Sequence, residues 1–265
     1  MPPPSQDRDF PWWLVVAIVF ALLIGWQIVA DEMYAQIFTT VVKGVKITAL
    51  VTIVAFLSAS AIGLLLAVMS LSRSLILRQI ARFYIEIVRG IPILVLLFYI
   101  AFVGAPALVI AINSIIEPFG LDPMRTRDLS LMWRAIIALT IGYSAFIAEV
   151  FRAGIQSVDT GQTEAAKALG FSGWQRFRLI VFPQALRTIL PPLGNDFIAL
   201  IKDSSLVSVL GVADVAQLGK IYASGSFRYM ETYNIVAVIY LMMTIGLSLG
   251  LRALERRLRS KHVKY

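Results

Sequence analysis

Residues 45 to 71 read VKITALVTIVAFLSASAIGLLLAVMSL, a run whose single charge is Lys46. A helix needs about 20 mostly apolar residues to cross the hydrocarbon core of a bilayer, and this stretch is longer than that. The pattern recurs. Further apolar stretches lie at roughly 12 to 30, 90 to 112, 131 to 151, 179 to 201 and 233 to 252, so the sequence predicts an all-α integral membrane protein with about six transmembrane helices. The first, Trp12 to Ala30, follows a leader with Arg8 between Asp7 and Asp9 and is too long for a secretion signal; it is expected to be a retained anchor.

Composition excludes several function classes. Of 265 residues 58% are hydrophobic and 15% charged, against about 25% charged in soluble domains. There is no cysteine, hence no disulfide, thiolate metal site or cysteine nucleophile. The one histidine, His262, stands in the charged tail, which leaves Ser-His-Asp catalysis and multi-histidine metal sites without parts. A nucleotide-binding P-loop needs GxxxxGK followed by Ser or Thr, but Gly219-Lys220 has Asp214 at the first glycine position and Ile221 after the lysine. The chain is therefore not expected to be an enzyme or to bind a cofactor.

The net charge of +8 follows the loops, which points to a membrane face as its partner and away from nucleic acid. The loop after the second stretch holds Arg73, Arg78, Arg82 and Arg89 against Glu86, and the loop after the fourth holds Arg152, Lys167, Arg176 and Arg178 against Asp159 and Glu164. The tail adds Arg252, Arg256, Arg257, Arg259, Lys261 and Lys264. On the other side, Asp31 and Glu32 offset Lys43 and Lys46, while Glu117, Asp122 and Asp128 offset Arg125 and Arg127. Cytoplasmic loops are the Lys/Arg-rich ones, so both termini are expected in the cytoplasm.

Within the second basic loop, about residues 153 to 178, helix punctuation appears. Thr160 can cap a helix whose first turn holds Glu164, Gly170 can end it, and Ser172 with Gln175 has capping-box spacing for a following helix. The segment Glu164-Ala165-Ala166-Lys167-Ala168-Leu169-Gly170, followed after nine residues by Ile180-Val181-Phe182-Pro183, resembles the EAA loop of the permease subunits of ABC importers, with Phe182 in place of the usual leucine. Arg89-Gly90-Ile91-Pro92, Ala148 to Ile155 and Leu190 to Ile198 are similar to the polar amino acid branch of those permeases, which serves histidine, glutamine, glutamate and arginine importers.

That resemblance implies a type I importer core of five helices over residues 39 to 252, preceded by a leader and an extra helix in residues 1 to 38 and followed by a basic tail, 253 to 265. It implies a second permease chain, identical or homologous, two ABC ATPase subunits that use ATP and Mg, and an amino-acid-binding protein outside a bacterial cytoplasmic membrane. It places Glu164, Ala165, Ala166 and Gly170 against the ATPase. Alanine-rich helices let another surface approach closely, although an ordinary interfacial helix has the same make-up.

For the path itself, Pro191-Pro192 with Gly194 is expected to interrupt the fifth span, beside Asn195 and Asp196 and with Lys202 and Asp203 at its outer end. Backbone N–H groups freed by that break would suit a substrate carboxylate, and Asp196 or Asn195 its ammonium, which favours basic or amide amino acids. Asp196 reads equally as a residue that pairs with a neighbouring helix. Glu149 and Arg152 sit three apart on one helix face as an ion pair, and Arg89-Gly90-Ile91-Pro92 opens the third span with Pro92 in its first turn. A secondary transporter is the main rival reading, but it normally has two repeats and more spans.

Overall fold

The computed structural model describes residues 12–260, and the side chains of 12–253. The predicted leader charges around Arg8, and Lys261, His262 and Lys264 of the tail, lie outside the described residues. In chain order the helices are α1 (Trp12–Ala30), α2 (Glu32–Val41), α3 (Gly44–Ser70), α4 (Leu75–Gly90), α5 (Ile93–Tyr99), α6 (Ala105–Ile116), α7 (Leu131–Gln156), α8 (Thr160–Ala168), α9 (Gly173–Arg176), α10 (Phe182–Asp203), α11 (Val215–Ser226) and α12 (Tyr229–Ser260). Among the described residues, five helical stretches are long and apolar enough to span a bilayer: Trp12–Ala30, Glu32–Ser70, Ile93–Phe119, Leu131–Gln156 and Tyr229–Ala253. The sixth expected span, 179 to 201, becomes α10, whose Arg187, Asp196, Lys202 and Asp203 leave it outside that set.

At the centre α3 packs along α7. The buried positions of α3 include Thr48, Thr52, Ala55, Ala59, Gly63 and Leu66, three or four residues apart and mostly small. They face an α7 surface that buries Ala135, Ala138, Gly142, Ala145 and Ala148. Lipid offers no hydrophobic reward for bringing helices together, so small residues that let backbones approach closely take over the role of large core side chains. A Cβ on Gly63 would stand 2.9 Å from Ile147 Cγ2 and 3.0 Å from the Ser144 carbonyl oxygen. The large side chains point outward: Leu57, Leu65, Phe83 and Phe102 are each more than half exposed, as is expected of surfaces that meet acyl chains.

The basic segment after α3 is not a loop. It forms α4, which buries Ala81, Ile85 and Val88 and whose Tyr84 hydroxyl lies 2.8 Å from Ser144 Oγ of α7. Arg78 closes the preceding turn by donating to the Ser72 and Arg73 carbonyls at 3.0 and 2.9 Å. Charged residues hid the helix because they occupy one sector of an otherwise amphipathic surface. As a result Gly90 ends α4 and Pro92 occupies the cap of α5, so the third span begins at Ile93 and Pro92 lies outside its first turn.

Two π-helical turns, Ile100–Gly104 and Phe177–Val181, each precede a helix with proline in its first turn, Pro106 in α6 and Pro183 in α10. A proline removes one backbone donor, and a widened turn just before it absorbs the mismatch.

The other anchor of the bundle is Asp214, fully buried, which accepts from the Gln217 backbone N–H at 2.8 Å and from the Tyr240 hydroxyl at 3.0 Å. It caps α11, while Thr48 Oγ1 of α3 accepts from the Val215 N–H at 3.3 Å. Gly44 has no room for a Cβ, because the Asp214–Val215 backbone lies directly against it. These contacts tie α3, α11 and α12 together.

Replacing Gly63 by valine should force α3 off α7 and cost about 1–3 kcal/mol, read as a lower melting temperature of the purified protein in detergent. Leu65→Ala, on the exposed face two residues away, should leave the melting temperature nearly unchanged.

Candidate functional site

α8 hangs between α7 and the rod made by α9, the π turn and α10. Its N-cap is Asp159, whose carboxylate accepts from the Gly161 N–H at 2.7 Å, so Thr160 is the first helical residue and Glu164 falls beyond the first turn. Asp outcompetes Thr here because its carboxylate also answers the positive end of the helix dipole. The expected stop is in place. Gly170 has φ +83°, its N–H bonds to the Lys167 carbonyl, and the Phe171 N–H bonds back to the Ala166 carbonyl, which together make a Schellman ending. Ser172 and Gln175 form the anticipated capping box of α9.

Of the motif residues, Glu164, Ala165, Lys167 and Ala168 are exposed and Ala166 turns inward. Nothing lies within 4 Å of where a Cβ on Gly170 would be, and Leu169 and Trp174 beside it are 76% and 68% exposed. Large apolar side chains flanking low-bulk helix backbone are what a protein partner can grip. α8 is also tied to the bundle: Gln184 Nε2 of α10 donates to Gln162 Oε1 at 2.6 Å, a contact the sequence did not signal. Ser157 Oγ donates to Thr188 Oγ1 at 3.3 Å, and Gly154 of α7 lies directly against Ile189 of α10.

α10 departs from the expected broken helix. Pro191 and Pro192 sit inside a continuous helix from Phe182 to Asp203. Prolines in a helix interior delete their own N–H and so free the carbonyls four residues back, here Arg187 and Thr188. The groups released are acceptors, and the backbone donors anticipated for a substrate carboxylate are not there. Gly194 is a crossing point, with Leu251 of α12 where its Cβ would be. Pro192 and Asn195 are exposed, whereas Asp196 is half-buried and its Oδ2 is buried with no hydrogen-bond partner.

Lys202 and Asp203 end α10, as expected, and that end lies against the middle of α7. Asp203 Oδ2 accepts from the hydroxyl of Tyr143, which lies at the middle of α7, at 2.7 Å. Lys202 lies beside Thr244 and Ile245 of α12. The chain then turns into a 3-10 helix, Ser204–Leu210, rather than continuing as a span. Asp196 and Asp203 are seven residues, two turns, apart, so they share the face of α10 that meets α7. Tyr143 was missed because a tyrosine amid apolar residues carries no signal until its partner is known. Glu149 and Arg152 are paired as expected, with Arg152 Nη2 2.6 Å from Glu149 Oε2.

A helical membrane bundle with an exposed, capped helix at one end and a carboxylate-bearing helix running from it to mid-bundle defines a transport permease. The chain belongs to the family of binding-protein-dependent transport system inner membrane components, whose model matches residues 59–260. It is 37% identical over 232 residues to the probable amino-acid permease protein YxeN of Bacillus subtilis, covering 87% of this chain and 96% of that one. It is 43% identical over 139 residues to the glutamine transport system permease protein GlnP of Escherichia coli, covering 52% and 64% of the two chains. Its fold matches the crystal structure of an amino acid ABC transporter with histidines at a TM-score of 0.70 and 36% identity, over 86% of this chain and 97% of that one.

Proposed function

We propose that this chain is the membrane-crossing subunit of an ATP-driven importer of polar amino acids, and that ATP, with Mg, is hydrolysed by two separate subunits that grip α8 and the backbone around Gly170. A binding protein outside the membrane delivers the substrate, and a second permease chain, identical or homologous, completes the path. The observation that carries this reading is α8: a nine-residue helix, closed at its ends by a carboxylate cap and a left-handed glycine, with Ala165 and Ala168 exposed. The amino acid class rests on the relatives, two of which carry amino acid or glutamine transport in their names.

Within the path, Asp196 is the group that takes the substrate's ammonium or cationic side chain. Its buried, unpartnered oxygen is an acceptor waiting for a donor, and such an oxygen is costly to leave unmet. Asn195, Gly194 and Pro192 line the same turn but point elsewhere, so their part is to shape α10. A carboxylate in this place favours basic or amide amino acids over acidic ones.

The arginines of α4, Arg78, Arg82 and Arg89, and those after α8, Arg176 and Arg178, support a reading in which both termini are cytoplasmic. The chain has no cysteine, so a cysteine introduced at position 262 should react with a membrane-impermeant maleimide only after the cells are opened. Reaction in intact cells would reverse the orientation.

Gly170→Glu should leave the permease inserted in the membrane but abolish ATPase capture and uptake. Space for the new side chain exists within this chain, so the damage comes from the left-handed backbone and from the partner surface. Uptake at wild-type rate with the ATPase still bound would remove α8 from the coupling role.

Asp196→Asn should weaken uptake of arginine and histidine by tenfold or more while sparing an acidic competitor, in membrane vesicles supplied with ATP, the ATPase subunit and the binding protein. About 1.4 kcal/mol per factor of ten is well within the value of one charged hydrogen bond. An unchanged substrate profile at normal rate would reduce Asp196 to a structural residue.

A further inference from the structure

Helix α4 divides its circumference into three sectors. Ala81, Ile85 and Val88 are buried against the bundle, while Ile76, Ile80, Phe83 and Ile87, at three- to four-residue spacing, are each half or more exposed. The third sector holds Arg82, Glu86 and Arg89. These three line a polar hollow of about 330 Å³ together with Ser70 at the end of α3 and Glu149 and Arg152 near the α8 end of α7.

The hollow is only partly self-neutralised. Arg152 is spent: its Nη2 and Nε bond Glu149 at 2.6 and 3.2 Å, and its Nη1 bonds Gln156 at 2.6 Å. Among the described residues Arg82 and Glu86 have neither an ion pair nor a hydrogen bond, and Arg89 rests over the Phe146 ring at 5.6 Å, within electrostatic reach of Glu149 but not in a salt bridge with it. Ser70 Oγ is buried and also has no partner. Two guanidiniums and one carboxylate are therefore presented to whatever enters, beside a strip of exposed apolar side chains.

We propose that this hollow and the apolar strip of α4 bind a phospholipid whose headgroup carries both a phosphate and a primary ammonium. A phosphate diester matches the planar, multiply donating guanidiniums of Arg82 and Arg89. A primary ammonium brings N–H donors that Glu86 can accept, and a quaternary one brings none. The acyl chains cover Ile76, Ile80, Phe83 and Ile87. A free phosphate would leave both Glu86 and that strip unmatched, and a purely anionic headgroup would place negative charge next to Glu86 with nothing to pair it. Basic pockets between helices near the membrane surface are places where headgroups settle. The inference is independent of the substrate and of the ATPase.

The full-length chain, purified in detergent, is offered equal amounts of dioleoyl phosphatidylethanolamine, phosphatidylglycerol and phosphatidylcholine, and bound lipid is counted by native mass spectrometry; inorganic phosphate is the competitor. Phosphatidylethanolamine should be retained at least about fivefold over the other two, and millimolar phosphate should not displace it. Glu86→Gln should erase that preference, and Arg82→Gln with Arg89→Gln should lose phospholipid retention at this site. All three side chains are exposed, so the variants should keep the wild-type melting temperature, which is measured alongside. Equal retention of the three lipids, preference for phosphatidylglycerol, displacement by phosphate, or an unchanged preference in Glu86→Gln would each overturn the proposal.

Discussion

The contact between α3 and α7 is the one on which the rest of the bundle is hung. Alanine, glycine and threonine make most of it, with Val51, Leu139 and Ile147 filling the gaps, because helices already surrounded by hydrocarbon gain little by exchanging lipid for leucine. What they gain is closeness: backbone against backbone, with Gly63 above Ser144 and Ala148. Threonine is tolerated in this seam since its hydroxyl is absorbed by its own helix, as when Thr52 Oγ1 donates to the Thr48 carbonyl at 2.8 Å. α4 is tied to α7 by Tyr84 and packs on α3 where Ala81 and Ile85 meet Leu66, and α10 lies along the far part of α7. With this seam fixed, large apolar side chains are left free to face outward.

Much of this architecture was legible in the sequence, and the part that was not has a common cause. Long runs such as 45 to 71 or 131 to 151 betray themselves because lipid constrains every residue of a span. Gly170 and the Ser172–Gln175 box were equally readable, since capping is local chemistry between residues three or four apart. α4 was taken for a loop, because charge counting is blind to which face of a helix the charges occupy. Pro191 and Pro192 were taken for a break, yet a helix held by Gly194 against α12 and by Ile189 against α7 keeps its course through both. At Pro191 and Pro192 a long-range contact overrides the local signal.

The corrected course of α10 changes the chemistry available to a substrate. A broken helix would have offered donors to a carboxylate; a continuous helix with two prolines offers the carbonyls of Arg187 and Thr188 and the carboxylates of Asp196 and Asp203. All four are acceptors. Asp203 is already answered by Tyr143, and Asp196 is left with an unmet oxygen at its buried side. Under the proposed function, a ligand rich in N–H groups is the one that meets the open oxygen of Asp196.

That same helix gives α8 mechanical reach. Gln162 of α8 is bonded to Gln184, which lies three turns before Asp196 on one rigid rod, and the Ser157–Thr188 and Gly154–Ile189 contacts pin the intervening stretch to the end of α7. Asp159 and Gly170 close α8 into a short unit, and under the proposed coupling role a displacement of it would pass into the π turn, Phe177–Val181, or into a tilt of α10 against α7. A tilt moves Asp196 and Asp203 together, and the Tyr143 hydroxyl, carried on the other helix, is the contact that such a tilt stretches first. If α8 takes the coupling role proposed for it, the polar pair at mid-bundle would follow the position of α8, which is the property a transport path needs if its opening is to be decided at one face and felt at the centre.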